Sequence, residues 1–317
     1  MIHPIDRIAG LAVARGPERL KFFSEGWGDP GALEPPDLAI SAAEPITPRW
    51  VVGAPDDGRI TSHGVYESTV DDLPVRSRHG SVISIEPQAG AHRTVILMAA
   101  WNEHDPRIRV ALAHRLTERG IRSLIPENPY YGSRHPDPTD HQPIRTVADF
   151  MTMGASAVLE AKGLLTGWRS SGDALGVSGY SMGANIAAIV SATLDFPVAT
   201  AALAASHSPG PVFLDGVLRH GIAWDALDGH DSEERLRGIL NSASVLRVTA
   251  AAHTEHAVVV GARSDGYIPR QATTDLADHW PGSELRIHPG GHATLIWYHK
   301  RLLVDAIEDS FDRLASP

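Results

Sequence analysis

The chain has 317 residues, a hydrophobic content of 43% and a formal net charge of −10 at pH 7, which allows one large α/β domain with an insertion or two small domains and excludes an intrinsically disordered chain. The acidic balance disfavours a nucleic-acid partner, because proteins that bind phosphate backbones neutralise them with lysine and arginine. The sequence contains no cysteine, so thiol nucleophiles, disulfides and cysteine-based metal sites are excluded.

Residues 1–92 predict an N-terminal extension followed by antiparallel strands. The first residues lack the basic region and apolar core of a signal peptide, so we expect a cytoplasmic protein without stable membrane insertion. A short helix is predicted over 17–25, and alternating runs such as 81–85 predict the strands. Two interpretations of the apolar N-terminal residues stay open, membrane contact or, as we favour, packing onto the protein: Ile5, Ile8, Leu11, Leu20, Phe22 and Phe23.

Strands and helices alternate from residue 93 onward. Strands are predicted at 94–100, 121–126, 174–177, 198–204, 257–261 and 284–287, and the run 94–100 is apolar throughout, like a strand buried on both faces. Helical spacing of apolar residues, with stop signals, predicts helices at 108–119, 146–165, 184–194, 270–280 and 293–314. This alternation indicates an α/β fold with a mostly parallel central sheet flanked by helices.

Residues 207–255 interrupt the alternation between two predicted strands. Several helical patches in this segment predict a mostly helical insertion rather than an ordinary long connection. In open α/β sheets such an insertion lies over the carboxyl ends of the strands, where ligands bind. We therefore expect a lid or cap within a single domain.

A Gly-x-Ser-x-Gly pentapeptide lies between a predicted strand and an alanine-rich predicted helix, at 179–183. In this setting the motif is typical of a nucleophile elbow, a strained turn that projects a serine hydroxyl above the sheet. The flanking glycines carry no Cβ, so the strand and the helix can approach closely. The pattern predicts Ser181 as a catalytic nucleophile.

A serine nucleophile needs a base, and the base needs an acid that orients it. Asp265 follows an apolar strand, and His292 lies in a glycine-rich turn after the last strand. Both residues are expected at the sheet edge that carries Ser181. His288 remains a competing base, and Asp195 is a weaker alternative acid.

A tetrahedral intermediate needs backbone N–H donors for its oxyanion. The residue after the nucleophile, Met182, is expected to supply one donor. The loop after the first buried parallel strand should supply the other, from Trp101 or from its neighbour Ala100.

Three further residues are predicted to line a substrate pocket: Tyr130, Tyr131 and His207. The tyrosines follow the second buried strand and either wall the pocket or pack their loop. Arg134, in the same loop, is interpreted as a solvated cation rather than as a contact for an anionic group. His253, Glu255 and His256 are close in sequence, but adjacent positions diverge in space, so we expect no metal and no organic cofactor.

With these residues in place, the chain resembles the α/β-hydrolase-18 family over about residues 95–314. The resemblance implies an α/β-hydrolase fold with Ser181 as nucleophile, Asp265 as acid and His292 as base. A family loop that is usually glycine-rich here contains Trp101, which adds bulk beside the expected oxyanion site. The matching motifs lie at 127–132, 150–154, 178–183, 265–270, 280–282 and 290–292.

These observations predict a serine hydrolase that cleaves a carboxylic ester through an acyl-enzyme. Its substrate is expected to be a small-molecule or lipid-like acyl ester, thioesters included. A non-catalytic binding module on the same fold stays open as an alternative. An acyl transferase or lyase that uses the same triad is a third reading, because these activities share the acylation step. The sequence does not predict an oligomeric state.

Overall fold

The computed structural model describes residues 2–15, 21–34, 43–137 and 144–315. Within these ranges the chain forms one nine-stranded sheet with helices packed on both of its faces. The predicted α/β architecture with a mostly parallel sheet is confirmed.

The strand order across the sheet is β1-β2-β3-β5-β4-β6-β7-β8-β9. The pairs β1–β2, β2–β3 and β3–β5 are antiparallel, and all the other neighbours are parallel. The elbow strand β6 therefore lies inside the sheet, with its carboxyl end beside those of β4 and β7. The strands are β1 (Arg49–Val52), β2 (Arg59–Glu67), β3 (His79–Pro87), β4 (Arg93–Met98), β5 (Ile121–Pro126), β6 (Ala174–Tyr180), β7 (Ala199–Leu203), β8 (Val258–Ala262) and β9 (Glu284–His288).

The helices follow the predicted alternation, with one break. The helix predicted over 293–314 is two helices, because His299 leaves the helical conformation and its ring packs against His288, with centroids 4.2 Å apart. The helices are α1 (Pro4–Ala14), α2 (Arg107–Thr117), α3 (Val147–Trp168), α4 (Met182–Thr193), α5 (Pro209–Leu214), α6 (Glu233–Ser242), α7 (Arg270–His279), α8 (His292–Tyr298) and α9 (Lys300–Ala315).

Both faces of the central parallel strands β4, β6, β7 and β8 are buried, which explains why the residues of these strands are mostly apolar. In β4, Val95 and Leu97 pack in one hydrophobic core together with residues of α2 and α9. Ile96 and Met98 pack in a second core together with residues of α3 and α4. The strand ends that position functional side chains are therefore held rigidly by packing on both sides.

The helix predicted over 17–25 is wrong for the portion that the structure describes. Phe22 forms an isolated bridge with Ile222, and Phe23 has a φ of 62°. Residues 21–25 therefore form a bridge and turns rather than a helix. Residues 17–20 lie outside the described residues. Tertiary pairing with a distant segment outweighs local helix propensity here.

The favoured packing interpretation of the N-terminal apolar residues holds for only some of them. Phe22 and Phe23 are buried, whereas Ile8 and Leu11 are exposed, and Leu20 lies outside the described residues. None of the helices in the ranges given above combines the length and apolar character needed to cross a bilayer.

The 207–255 segment consists of α5, α6 and several short 3-10 helices. It packs with residues 22–33 and with the first turns of α3 in an aromatic-rich core. Phe213 lies within this core, with ring centroids 5.2–5.8 Å from four other aromatic side chains: Phe22, Phe23, Trp101 and Phe150. A lid function for this segment stays a prediction.

Arg134 is buried, so its interpretation as a solvated cation is wrong. Its guanidinium donates two hydrogen bonds to the Glu160 carboxylate, at 2.6 and 2.7 Å, and another to the carbonyl of Ser77 at 2.8 Å. The 3-10 helix Gly132–Arg134 is thereby anchored to α3 by an ion pair in the protein interior. The alternative, that Arg134 contacts an anionic group of a substrate, also lacks support, because the Glu160 carboxylate already pairs with the guanidinium.

Candidate active site

Ser181 lies at the turn between β6 and α4 with φ 57° and ψ −116°, a backbone conformation that is strained for a residue with a side chain. A Cβ on Gly179 would lie 2.4 Å from the backbone of Gly183, and one on Gly183 would lie 2.4 Å from the carbonyl oxygen of Met98. Both glycines are therefore required by close approach of backbone segments, as expected for a nucleophile elbow. Ser181 N–H donates to the carbonyl of Leu203 at 2.9 Å, which ties the turn to β7.

The structure brings Asp265 and His292 together, although 27 positions separate them in the chain. His292 Nδ1 lies 2.8 Å from Asp265 Oδ2, and the two side chains are only 10% and 4% exposed. The other oxygen, Oδ1, accepts the N–H groups of Tyr267 and Ile268 at 2.8 and 2.9 Å. A carboxylate facing Nδ1 places the ring proton there, so Nε2 is left as the basic nitrogen.

The two competing residues make other contacts. His288 Nδ1 lies 2.6 Å from the carbonyl of Pro289, and its ring packs against His299. Asp195 is exposed beyond the last turn of α4, at the opposite end of that helix from Ser181. The acid–base geometry therefore favours Asp265 and His292.

Two tyrosine rings that the sequence analysis did not assign to the site flank His292. Tyr180 O–H donates to the carbonyl of His292 at 2.5 Å, with ring centroids 5.1 Å apart. Tyr267 stacks on the imidazole with centroids 4.8 Å apart and planes inclined by 30°. Both lie within the predicted motifs, one in the elbow and one after Asp265, but their contact with His292 depends on tertiary structure.

The environment of His292 raises the pKa of its imidazole. Burial alone would lower the pKa, but the Asp265 carboxylate, through its charge and its hydrogen bond, outweighs burial, and the charge of Asp6 adds to this effect. The imidazolium form is therefore stabilised inside the protein.

The loop after β4 positions the N–H groups on either side of Trp101. Ala100 N–H donates to Glu103 Oε2 and Asn102 N–H donates to the phenol oxygen of Tyr131, both at 3.0 Å. Within the part of the chain that the structure describes, the intervening N–H of Trp101 meets no acceptor. This arrangement favours Trp101 over Ala100 as an oxyanion donor.

A buried ion pair also holds the loop after β4 in place. Arg109 Nε donates to Glu103 Oε1 at 2.7 Å, and both side chains are less than 10% exposed. Arg109 Nη1 also donates to the carbonyls of Leu97 and Pro126, at the ends of β4 and β5. Glu103 therefore couples the loop conformation to the sheet edge.

Met182 is the first residue of α4, so its N–H precedes the first hydrogen bond within the helix and is left for an external acceptor. The phenol of Tyr131, which accepts from Asn102, also points toward Met182 Sδ at 3.9 Å. Tyr131 thus contacts both segments that carry the expected oxyanion donors.

A cavity of about 1040 Å³ contains Ser181 and His292 in its wall. Its size is at the upper end of the range for small-molecule sites. Most of the remaining wall is apolar and comes from β4, the loop that follows it, α3, α4, α8 and the 207–255 segment. The main apolar side chains are Leu97, Trp101, Phe150, Met151, Met153, Ile186, Ile189, Val212, Phe213, Leu218 and Ile296.

No hydrogen bond joins Ser181 to His292 among the described residues, although both residues line the same cavity. Catalytic hydrogen bonds are often long before substrate binds and tighten in the complex. The absence of this contact therefore does not exclude a nucleophile–base pair.

The three residues predicted to wall the pocket lie behind the cavity lining rather than in it. Tyr130 O–H donates to Asp149 at 3.3 Å, and Tyr131 supports the loop after β4. His207 Nδ1 lies 3.0 Å from Ser244 Oγ, and it is the neighbours of His207 in the chain that reach the cavity. Direct substrate contact by these residues stays a prediction.

The His253–His256 region makes contacts within the protein. His253 Nε2 lies 3.0 Å from the carbonyl of Ser191, and His256 lies 3.4 Å from Glu255. Over the described ranges, no cluster of three or more histidine, aspartate or glutamate side chains is arranged to hold a metal ion.

Solved esterase structures share this architecture. A PEG-bound cold-adapted esterase from an Arctic intertidal metagenomic library has 17% identity and a TM-score of 0.52, over 81% of this chain and 96% of that one. An acetyl xylan esterase from Paenibacillus sp. R4 has 14% identity and a TM-score of 0.58, over 83% and 90%. Est1E from Butyrivibrio proteoclasticus with bound ferulic acid has 14% identity and a TM-score of 0.52, over 75% and 96%. At these identities the likeness shows the α/β-hydrolase fold alone.

The sequence also matches a family model, the one described as alpha/beta hydrolase domain containing 18. The match covers residues 20–250 and 230–313, which is most of the chain and includes the elbow, Asp265 and His292. The suspected resemblance is thereby confirmed. The chain belongs to the alpha/beta hydrolase domain containing 18 family.

Proposed function

We propose that this protein is a serine hydrolase that cleaves carboxylic esters through an acyl-enzyme. One observation carries the proposal: the hydrogen-bonded Asp265–His292 pair and the strained Ser181 turn meet at one apolar cavity. Ser181 is the nucleophile, His292 the general base and Asp265 the acid that orients it. The complete set of residues disfavours a purely non-catalytic binding module on the same fold.

In the proposed reaction, Ser181 Oγ attacks the acyl carbon while His292 Nε2 accepts the hydroxyl proton. The N–H groups of Trp101 and Met182 stabilise the negative oxygen of the tetrahedral intermediate. The intermediate collapses as His292 returns the proton to the departing alcohol. Water then attacks the acyl-enzyme with the same residues, which releases the acid and restores Ser181.

The cavity points to an apolar acyl group, as in a lipid-like ester or thioester. Its wall is mostly aliphatic and aromatic. Each methylene buried in such a wall contributes about 0.8 kcal/mol, or roughly fourfold in affinity. We therefore expect kcat/KM to rise with acyl length until the cavity is filled.

Labelling with a fluorophosphonate, followed by mass spectrometry, tests the proposed nucleophile. We expect one adduct per folded chain, located at Ser181 by fragment-ion sequencing, and no adduct in heat-denatured protein. An adduct at another serine, or no labelling of protein whose circular dichroism shows it to be folded, contradicts the assignment. A parallel panel of acyl esters, with free acid measured against transfer to an added alcohol, separates hydrolysis from acyl transfer.

The pH dependence of ester hydrolysis should report the pKa of His292. The base is active only when neutral, so kcat/KM rises with pH through that pKa. Because Asp265 and Asp6 raise the pKa from its usual 6.5, the acidic midpoint is expected above about 6.5. The measurement is kcat/KM for a soluble ester from pH 5 to pH 9, and a midpoint below 6 contradicts the prediction.

Replacing Trp101 by alanine is expected to move the preferred acyl length toward longer chains. The indole packs against Phe22, Phe150 and Phe213, with centroids 5.6, 5.6 and 5.8 Å away, so its removal extends the cavity while the backbone N–H remains. We expect the ratio of kcat/KM for a long ester to that for an acetyl ester to rise about tenfold. Trp297→Ala is the control, because this side chain also lines the cavity but is 53% exposed; an equal change in both variants contradicts the prediction.

A further inference from the structure

Asp6, in the first turn of α1, is a buried acidic side chain that has no step assigned to it in the proposed reaction. It is fully buried, with 0% exposure. Its hydrogen-bond donors are the backbone N–H groups of Gly266, in the loop after Asp265, and of His292 and Ala293, the first two residues of α8. Asp6 also lies outside the residues matched by the family model, which begin at residue 20.

The Asp6 carboxylate joins the loop of the proposed acid to the start of α8, which carries the proposed base. Oδ2 accepts the N–H of Gly266 at 2.9 Å and the N–H of His292 at 2.7 Å. Oδ1 accepts the N–H of Ala293 at 3.1 Å. One carboxylate therefore holds the residue after Asp265 and the backbone of His292 itself.

The loop after Asp265 and the turn that precedes α8 both have a glycine where α1 approaches them. A Cβ on Gly291 would lie 2.4 Å from His3 Cβ and 2.6 Å from Asp6 Oδ2, and one on Gly266 would lie 2.8 Å from Asp6 Cβ. The N–H of His3 also donates to the carbonyl of Ser264 at 2.8 Å. The start of α1 is thus fitted against the backbone of both loops.

Given the proposed triad, on which this inference rests, we propose that Asp6 is a positioning residue. It holds the backbone of His292 in register with Asp265, and its negative charge stabilises the imidazolium that forms when Ser181 is deprotonated. A buried carboxylate with three N–H donors is suited to both tasks, since charge-assisted hydrogen bonds are stronger than neutral ones.

The charge argument depends on which other groups face His292. Asp265 contacts its ring, Asp6 contacts its backbone, and Tyr180 and Tyr267 lie against its ring. Burial, followed by the nearby carboxylates, raises the pKa of both tyrosines, so both are neutral at physiological pH. Asp6 is therefore the second negative charge beside the imidazole. Its removal should lower the pKa of His292.

The test is the pH profile of Asp6→Asn, which keeps the size of the side chain and removes its charge. We expect kcat for a soluble ester, per site titrated with fluorophosphonate, to fall tenfold or more because the base is misplaced. KM should change less than about threefold, and the acidic midpoint should move to lower pH. Arg7→Gln is the matched control, because it removes a charge at the next, exposed position of the same helix. We expect it to change neither kcat nor the acidic midpoint.

An unchanged kcat and midpoint in folded Asp6→Asn overturns the inference. A lower kcat with an unchanged midpoint also overturns it, since a merely structural role gives that result. If Asp6→Asn does not fold, Gly10→Ala is the second test variant. The added Cβ would lie 2.7 Å from Val217 Cβ, so we expect α1 to shift while residue 6 remains an aspartate. A lower kcat together with a lower acidic midpoint in that variant supports the inference, and a wild-type kcat or an unchanged midpoint overturns it.

Failure of the proposed function gives a different pattern. Folded wild-type protein that neither labels nor hydrolyses esters contradicts the triad itself. Wild type that labels at Ser181, together with an Asp6→Asn variant that behaves like wild type, contradicts only the role of Asp6.

Discussion

Replacing Ser181 by alanine is expected to lower kcat/KM for ester hydrolysis by about a thousandfold or more. Without the hydroxyl no acyl-enzyme forms, and only substrate binding and the oxyanion donors remain. Alanine has a Cβ like serine, so the turn at φ 57° keeps the same strain and the fold should be unchanged. The measurement is steady-state hydrolysis of an activated ester, with unfolding followed by circular dichroism.

Ser208→Ala is the matched control for this change. Ser208 also lines the cavity, but its hydroxyl donates to Asn241 Oδ1 at 2.6 Å. The control should retain activity within a few-fold. Hydrolysis that survives in Ser181→Ala, or that disappears equally in Ser208→Ala, would show that Ser181 is not the nucleophile.

Changing Asp265 to asparagine is expected to lower kcat by roughly ten-thousandfold, with a small effect on KM. The Asn amide would present an N–H group to His292 Nδ1, which then becomes an acceptor. The ring proton moves to Nε2, and the nitrogen that should accept the serine proton is blocked. The side-chain carbonyl can still accept from Tyr267 and Ile268, as Oδ1 does now, so the turn should persist.

Asp195→Asn is the control that separates the two candidate acids. Asp195 is exposed, and its replacement should leave kcat unchanged. Loss of activity in Asp195→Asn with retention in Asp265→Asn would reverse the assignment. Thermal unfolding of both variants shows whether a lower rate reflects chemistry or a smaller folded fraction.

The elements that could be predicted from the sequence are those set by local pattern. The uninterrupted apolar run at 94–100 predicted a buried strand, because a strand covered on both faces has no polar side. The elbow was recognisable because its strain and close approach require small residues at fixed positions around Ser181. Asp265 and His292 followed from their place after parallel strands, whose carboxyl ends share one edge of the sheet.

Local pattern failed where a distant segment determines the conformation. Residues 21–25 contain no turn signal strong enough to exclude a helix, yet Phe22 pairs with Ile222 and Phe23 enters an aromatic core. Arg134 looked solvated because arginine usually is, and its partner Glu160 lies 26 positions away on another element. Neither contact has a signature within a short window of sequence.

By itself, the sequence determined the fold class, the strand–turn–helix around Ser181 and the chain order of the proposed nucleophile, acid and base, since each depends on residues that are neighbours or on the repeating alternation of strands and helices. Only the tertiary structure decided that the N–H of Trp101 lacks an acceptor among the described residues, while Glu103 and Tyr131 accept from Ala100 and Asn102. It also decided that Asp6 meets His292 across 286 positions. Such contacts arise from packing between elements, where the spacing along the chain carries no information about distance in space.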